Sequence, residues 1–332
     1  MLLSIIVKSF NEEKNIERVI KSALQVLEVV SSGEVIIADS LSTDNTIPIA
    51  SNYPVKIVQL ANKKDRSCGV GAELGYRYAK GKYLFFIDAD MEINLDFVNT
   101  AISMLEKDIS VVGIGGIINE MNINNAEFRG RVKRNVGHLK PGNVDRLNGG
   151  GIFRKKDIDT IGYFTNRNLH AYEEYELALR IRQINKKLIR LDKVSVNHYG
   201  HTDSSINLLF KRWNSRYTWG GGELIKQTWS HTYFLDVLRD LKIYRNSLVI
   251  LVWLSLLIIL SYLSISVDLM YMYVLIIMLL LPLITLSVKR RSVYDGLIGL
   301  FSLIMTTVGI IAGLFFSKNI QPIKDIKVVM IK

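Results

Sequence analysis

The chain has 332 residues, is 49% hydrophobic and carries a formal net charge of +11. A single cysteine, Cys68, excludes an intrachain disulfide and suits a reducing compartment. The basic surplus suits anionic headgroups and phosphorylated substrates; with no zinc-finger spacing, RNA-binding aromatic motif or long basic run, the reading is no nucleic acid partner.

From the N-terminus, strand-like and helix-like patterns alternate. Residues 4–7 form a short β-branched run, and 12–29 have helical periodicity. Residues 34–38 are strand-like again, 43–50 suit a helix interrupted near Pro48, and 55–60 suit a third strand. Residues 71–79 suit a helix, and the apolar run 82–87 is a fourth strand ending at Asp88. Strands alternating with helices predict an α/β fold, with a parallel sheet covered on both faces. Ligands in such sheets bind beyond the carboxyl ends of the strands.

Those ends are polar. Lys8-Ser9-Phe10-Asn11-Glu12-Glu13 follows the first strand, Asp39-Ser40 the second and Asp88-Ala89-Asp90 the fourth. One acidic residue there is commonly a cap or turn; three clusters at successive strand ends point to a site. Alternation lets Asp88 and Asp90 point the same way if strand geometry continues through them. Two carboxylates at a strand mouth suit Mg²⁺ or Mn²⁺, whose shell is completed by water and substrate phosphate oxygens. Such an ion neutralises charge on a departing diphosphate.

These segments resemble the family 2 glycosyltransferases, which have the GT-A nucleotide-sugar-binding fold. The opening through Glu13 is similar to that family's first strand and turn. Val35-Ile36-Ile37-Ala38-Asp39-Ser40 is similar to its second-strand signature, and the run ending Asp88-Ala89-Asp90 to its metal segment. The resemblance implies an inverting, metal-dependent transferase using Mg²⁺ or Mn²⁺ and a nucleotide-sugar donor, UDP- or GDP-linked. It implies that Asn11 and Glu12 border the donor, Asp39 contacts base or ribose, Asp88 lies near the nucleoside and Asp90 binds the metal. Asn148-Gly149-Gly150-Gly151 is similar to the glycine-rich strand before the acceptor site. Tyr172-Glu173-Glu174-Tyr175-Glu176-Leu177-Ala178-Leu179-Arg180 is similar to the acidic acceptor motif, with Glu174 in the place of the catalytic carboxylate and Glu173 beside it. A carboxylate there can take the acceptor hydroxyl's proton; the structural alternative is a solvated helix face paired to Arg180 or Arg182.

The chain also departs from the family. Ala72-Glu73 stands where Arg-Asn is common, leaving diphosphate contact to Lys63, Lys64 or Arg66. Phe210-Lys211-Arg212-Trp213 matches only the end of the Gln-x-x-Arg-Trp motif of processive members, because Leu209 stands at the Gln position. Arg212 is expected on the diphosphate, Trp213 against a sugar, and His198 on the diphosphate with His201 nearby.

Uncharged runs at 246–267, 269–288 and 296–317 are each about 20 residues, the length of a membrane-crossing helix. The expected organisation is a GT-A catalytic domain at 1–229, an interfacial linker at 230–246, a transmembrane region at 247–317 and a polar tail at 318–332. The N-terminus is apolar only briefly and lacks a basic start and cleavage site, so no signal peptide is expected. Arg239, Lys242 and Arg245 before the first run, and Lys289, Arg290 and Arg291 after the second, put the catalytic domain on the cytoplasmic face of the cell membrane. Three crossings would leave the tail outside despite Lys318, Lys324, Lys327 and Lys332, unless the third run is re-entrant. The expected acceptor is a membrane lipid or lipid-linked glycan. A polyisoprenyl-phosphate glycosyl synthase, a nucleotidyltransferase and a non-catalytic nucleotide-binding scaffold are the alternatives.

Overall fold

The computed structural model describes residues 1–122, 139–200, 203–318, 320–323 and 325–332. His201 and Lys324, named above, lie outside them. The chain divides into two compact units, Met1–Asp203 with Ile320–Lys332, and Ser204–Asn319.

The first unit is built on one sheet. Strands β1 (Leu3–Ser9), β2 (Gly33–Asp39), β3 (Lys56–Leu60) and β4 (Tyr83–Asp88) are parallel neighbours in the order β3-β2-β1-β4. Their sequences are nearly continuous apolar runs because both faces of a parallel sheet are covered. Helix α1 (Ile16–Val29) covers one face with Ile16, Val19, Ile20, Ala23 and Val26, spaced three and four apart. Each of the buried Ile and Val side chains contributes about 1.5–3 kcal/mol. The helix starts four residues later than its periodicity predicts, because Asn11 has φ 54° and Glu12–Asn15 forms a turn. Short α2 (Thr46–Ser51) accommodates Pro48 in its first turn, where no intrahelical N–H is lost. On the other face lies α3 (Cys68–Tyr78), capped by the Ser67 hydroxyl accepting from the Val70 N–H at 3.1 Å.

Beyond β4 the sheet becomes mixed. Strand β5 (Met91–Ile93) leads into α4 (Leu95–Lys107) and then β6 (Val111–Glu120). Strands β7 (Gly142–Val144) and β8 (Gly151–Arg154) precede α5 (Lys155–Thr160) and α6 (Glu173–Gln183), and β9 (Lys187–His198) closes the run. Strand β8 is antiparallel between β4 and β6, whereas β6 and β9 are parallel.

The second unit begins with α7 (Ser205–Asn214), α8 (Gly220–Thr228) and α9 (Phe234–Asp240). Helices α10 (Lys242–Ser266), α11 (Met270–Arg290) and α12 (Val293–Phe316) are each long and apolar enough to cross a membrane. The division therefore falls after Asp203 rather than at the expected 229, because α7 and α8 pack with α12. The expected polar tail returns to the sheet instead: β10 (Val328–Met330) pairs antiparallel with β3.

Candidate active site

Strand order reverses between β1 and β4, the topological switch point where open α/β sheets bind ligands. Lys8 and Asp88 face each other across it in register, and their side chains form an ion pair at 2.8 Å. Burial pulls the Lys8 pKa down, but Asp88, Glu174 and Glu173 outweigh it and hold the ammonium charged. Lys8 was legible as a polar residue after a strand, although nothing in the sequence indicated its carboxylate partners.

Glu173 and Glu174 occupy the first turn of α6, entered through Tyr172 at φ 68°. With Lys8, Phe86, Gly150 and Leu177 they line one cavity. Glu174 accepts a hydrogen bond from the Gly149 N–H at 3.2 Å. Burial raises the Glu174 pKa to about 7, with Lys8 opposing and Glu173 and Asp88 reinforcing the rise. Glu173 is raised by burial too, against the pull of Lys8. Arg180, expected beside this pair, grips both carboxylate oxygens of Glu176 at 2.8 Å and the carbonyls of Tyr163 and Phe164.

Gly149 and Gly150 have φ 73° and 93°, a region that favours glycine. A Cβ on Gly150 would collide with the Phe86 carbonyl oxygen. This close approach ties the turn before β8 to the last residues of β4, and so to the level of Asp88. Buried Arg190 donates to the carbonyls of Gly116 and Asn148, bracing the same turn.

Asp90 lies in the turn between β4 and β5. Met91 pairs with His198 in the β5–β9 ladder, which brings the His198 Nε2 to 3.2 Å from the Asp90 Oδ2. The other ring nitrogen lies 2.5 Å from the Glu120 Oε2. Burial lowers the His198 pKa, yet Asp90 and Glu120 together push it up to about 10. Asp90 and His198 are 108 residues apart, and no local motif links them.

The Asp90 Oδ1 is buried with no hydrogen-bond partner among the described residues. An orphaned carboxylate oxygen at a strand end fits a divalent cation. No group of three or more His, Cys, Asp or Glu among the described residues forms a ready cage. The donor set therefore fits an open site, with one or two side-chain ligands and the remainder from water and substrate oxygens.

The loops after β1 and β2 are zipped together. Asn11 N–H donates to the Ser42 hydroxyl at 2.9 Å, and Thr43 N–H returns to the Asn11 Oδ1 at 2.8 Å. Glu12 N–H donates to the Thr46 hydroxyl at 2.8 Å. The Glu12 carboxyl is pushed up to about 7, by burial first and by Asp90 and Asp88 among its neighbours. Asp39, expected at the base or ribose, is fully buried. Its carboxylate accepts from Ser9, Gln59 and both the N–H and hydroxyl of Ser42. In this conformation it organises the loop, and its oxygens are already engaged. Arg66 donates to the carbonyls of Ser40 and Leu41 at 2.8 and 2.9 Å and stacks 3.8 Å over the Phe10 ring, bracing the same loop. Lys63 and Lys64 form a short 3-10 turn just before it.

The structure thus gathers Lys8, Glu173 and Glu174 at one cavity, with Asp88 ion-paired to Lys8, and Asp90 with His198 and Glu120 at a second cluster. Arg212 and Trp213 lie on α7 in the second unit, where the Arg212 guanidinium is 5.2 Å from the Tyr217 ring centroid.

An α/β sheet with a switch-point site and a mixed extension is the GT-A fold of nucleotide-sugar transferases. Residues 4–162 match the sequence profile of Glycosyl transferase family 2. Residues 4–162 thus carry a family 2 glycosyltransferase domain. Poly(ribitol-phosphate) beta-N-acetylglucosaminyltransferase TarS of Staphylococcus aureus is 26% identical over 123 residues, covering 35% of this chain and 22% of TarS. Chondroitin synthase of Escherichia coli is 30% identical over 114 residues, covering 33% of this chain and 16% of that protein. These matches span less than a quarter of either relative. Among solved structures, the Pyrobaculum calidifontis mannosyltransferase PcManGT, in complex with GDP-Man and Mn²⁺, aligns with a TM-score of 0.66 at 14% identity. The alignment covers 95% of this chain and 88% of that one. Staphylococcus aureus TarS 1–349 in complex with UDP-GlcNAc aligns at 0.52 and 16% identity, covering 99% and 96%. At these identities the likeness concerns the fold.

Proposed function

We propose that the protein is an inverting, metal-dependent glycosyltransferase that moves a sugar from a UDP- or GDP-linked donor to a hydroxyl of a membrane lipid or lipid-linked glycan. The observation that carries this reading is Glu174, a carboxylate with raised proton affinity, held by Gly149 in the cavity it shares with Lys8. Glu174 takes the acceptor hydroxyl proton as that oxygen bonds to the sugar's anomeric carbon, and the bond from that carbon to the diphosphate breaks. A phosphate acceptor would need no such base, so the carboxylate favours a hydroxyl. Glu173 and Asp88 keep the base from ionising too readily, while Lys8 offsets their charge.

Asp90, through its unpartnered oxygen, would hold Mg²⁺ or Mn²⁺, an ion that would neutralise charge on the departing diphosphate. The orphaned Asp90 oxygen supports this, as does the GDP-Man and Mn²⁺ complex of the fold relative. Asn11, Glu12 and Arg66 shape the loop beside the donor, with Asp39 fixing it from beneath. The apolar helices support a cell-membrane location, and the flanking basic residues a cytoplasmic catalytic domain.

The test is turnover of a nucleotide-sugar panel by detergent-purified protein with membrane lipid extract and Mg²⁺ or Mn²⁺. Labelled lipid is expected with one donor and is lost with chelator, in Asp90→Ala and in Glu174→Gln. Transfer surviving in Glu174→Gln would support a polyisoprenyl phosphate acceptor. Donor binding without transfer to any lipid fraction would overturn the membrane-acceptor reading.

A further inference from the structure

We propose that α12 does not cross the bilayer but lies along its interface, on the face from which α10 enters, so that the chain crosses only twice. All three long helices satisfy length and hydropathy for crossing, so composition does not distinguish them. The contacts within this unit do.

Helices α10 and α11 form a hairpin. The Trp253 indole N–H donates to the Met278 carbonyl at 2.8 Å, near the middle of both helices. From that crossing, Lys242 and Arg290 lie a similar number of residues away in the same direction. The start of α10 and the end of α11 therefore share one end of the hairpin, where Lys242, Arg245, Lys289, Arg290 and Arg291 collect.

Helix α12 begins at that end, because Gly296 packs directly against Ser287. Its later turns are found at the same end. A Cβ on Gly221 would lie 2.9 Å from Ile310 and 3.6 Å from Ile243, and the Gly221 carbonyl accepts the Tyr244 hydroxyl at 2.9 Å. Ile243 and Tyr244 belong to the first turn of α10. Between Gly296 and Ile310 the helix advances about 21 Å. A crossing helix would carry Ile310 most of the way to the far turn at 267–269. This one stays level with the entry end.

The chain beyond α12 gives an independent reason. Val328–Met330 is a strand of the catalytic sheet, with Val328 opposite Leu60 and Met330 opposite Val58. The Ile57 N–H donates to the Lys332 carbonyl at 2.8 Å. A third crossing would put the bilayer between this strand and the sheet it completes.

The occupant of the free face of α12 is lipid. Leu297, Val308 and Phe315 are exposed along one stripe, and Phe301 beside them meets the Phe210 ring at 6.2 Å. The opposite stripe, Gly309, Ile310 and Gly313, is buried against Thr218–Gly222. An apolar stripe continuous with a membrane hairpin, backed by protein, is the form of an interfacial helix.

The test uses full-length protein with single cysteines in a Cys68→Ser background, in sealed membrane vesicles of both orientations, labelled with an impermeant maleimide. Ser32→Cys and Lys318→Cys are expected to label from one face, and Val267→Cys from the other. Lys318→Cys labelling with Val267→Cys would overturn the proposal. Nitroxides at Leu297, Val308 and Phe315 read depth separately through oxygen and nickel accessibility. Similar shallow depths are expected. A steady depth gradient would overturn the in-plane helix, and spin–spin coupling with exclusion from lipid would assign the stripe to a second copy instead.

Discussion

A carboxylate in the first turn of a helix ordinarily ionises readily, because the helix N-terminus favours negative charge. Glu174 is driven the other way by burial and by Glu173 and Asp88, against the pull of Lys8. As a base it must be ionised, so transfer should rise with pH through about 7 and level above it. Glu174→Gln should lower kcat by about 10²- to 10⁴-fold, remove that pH dependence, and leave donor affinity within a few-fold. The same shift has a stability consequence. A carboxyl whose folded pKa is raised favours the fold below its unfolded pKa, and loses that contribution as pH rises through about 7. Glu174→Gln cannot ionise, so its melting midpoint should exceed wild type above pH 7 and converge with it at acid pH. At the second cluster, Asp90→Ala should abolish activation by Mn²⁺ and weaken Mn²⁺ binding with donor present, read directly by electron paramagnetic resonance. Unchanged Mn²⁺ binding would remove Asp90 from the metal's ligands.

At the scale of elements, the site depends on turns that hold strand ends at one level. Gly150→Ala places a Cβ against the Phe86 carbonyl at a φ of 93°; it should cost about 1–3 kcal/mol and lower transfer more than donor binding, since Gly149 aims at Glu174. Strand β10 guards β3, which would otherwise be a bare edge. Deleting 326–332 also removes buried Ile326. The melting midpoint should fall by about 2–4 °C for each kcal/mol lost, with increased aggregation in a light-scattering melt. An unchanged midpoint would mean that β10 contributes nothing to the sheet.

Across the whole molecule, what was legible followed from local pattern. The buried runs of β1, β2 and β4 marked the parallel sheet, and the polar residues after them marked its mouth. Glu173-Glu174 is legible through the resemblance of residues 172–180 to the acidic acceptor motif of the family 2 glycosyltransferases. His198 with Asp90 was not legible, because a ladder pairing Met91 with His198 brings them together across distant segments. The four hydrogen bonds of Asp39 are not legible in the sequence, because they depend on the loop fold around Ser42, on Ser9 and on Gln59 in β3. Val328-Val329-Met330 is too short to announce a strand, so β10 was read as polar tail. Helix α12 has the hydropathy of a span, and hydropathy alone does not reveal the stripe of Gly309, Ile310 and Gly313 that packs on Thr218–Gly222.

The most direct measurement is single-turnover transfer from bound donor to lipid acceptor in wild type and Glu174→Gln, with donor affinity measured on the same samples. The predicted result is near-equal donor affinity with transfer lost in the variant, and an inverted anomeric centre in the wild-type product. Full-rate transfer by Glu174→Gln, or retention of anomeric configuration, would contradict Glu174 as the base of an inverting glycosyltransferase.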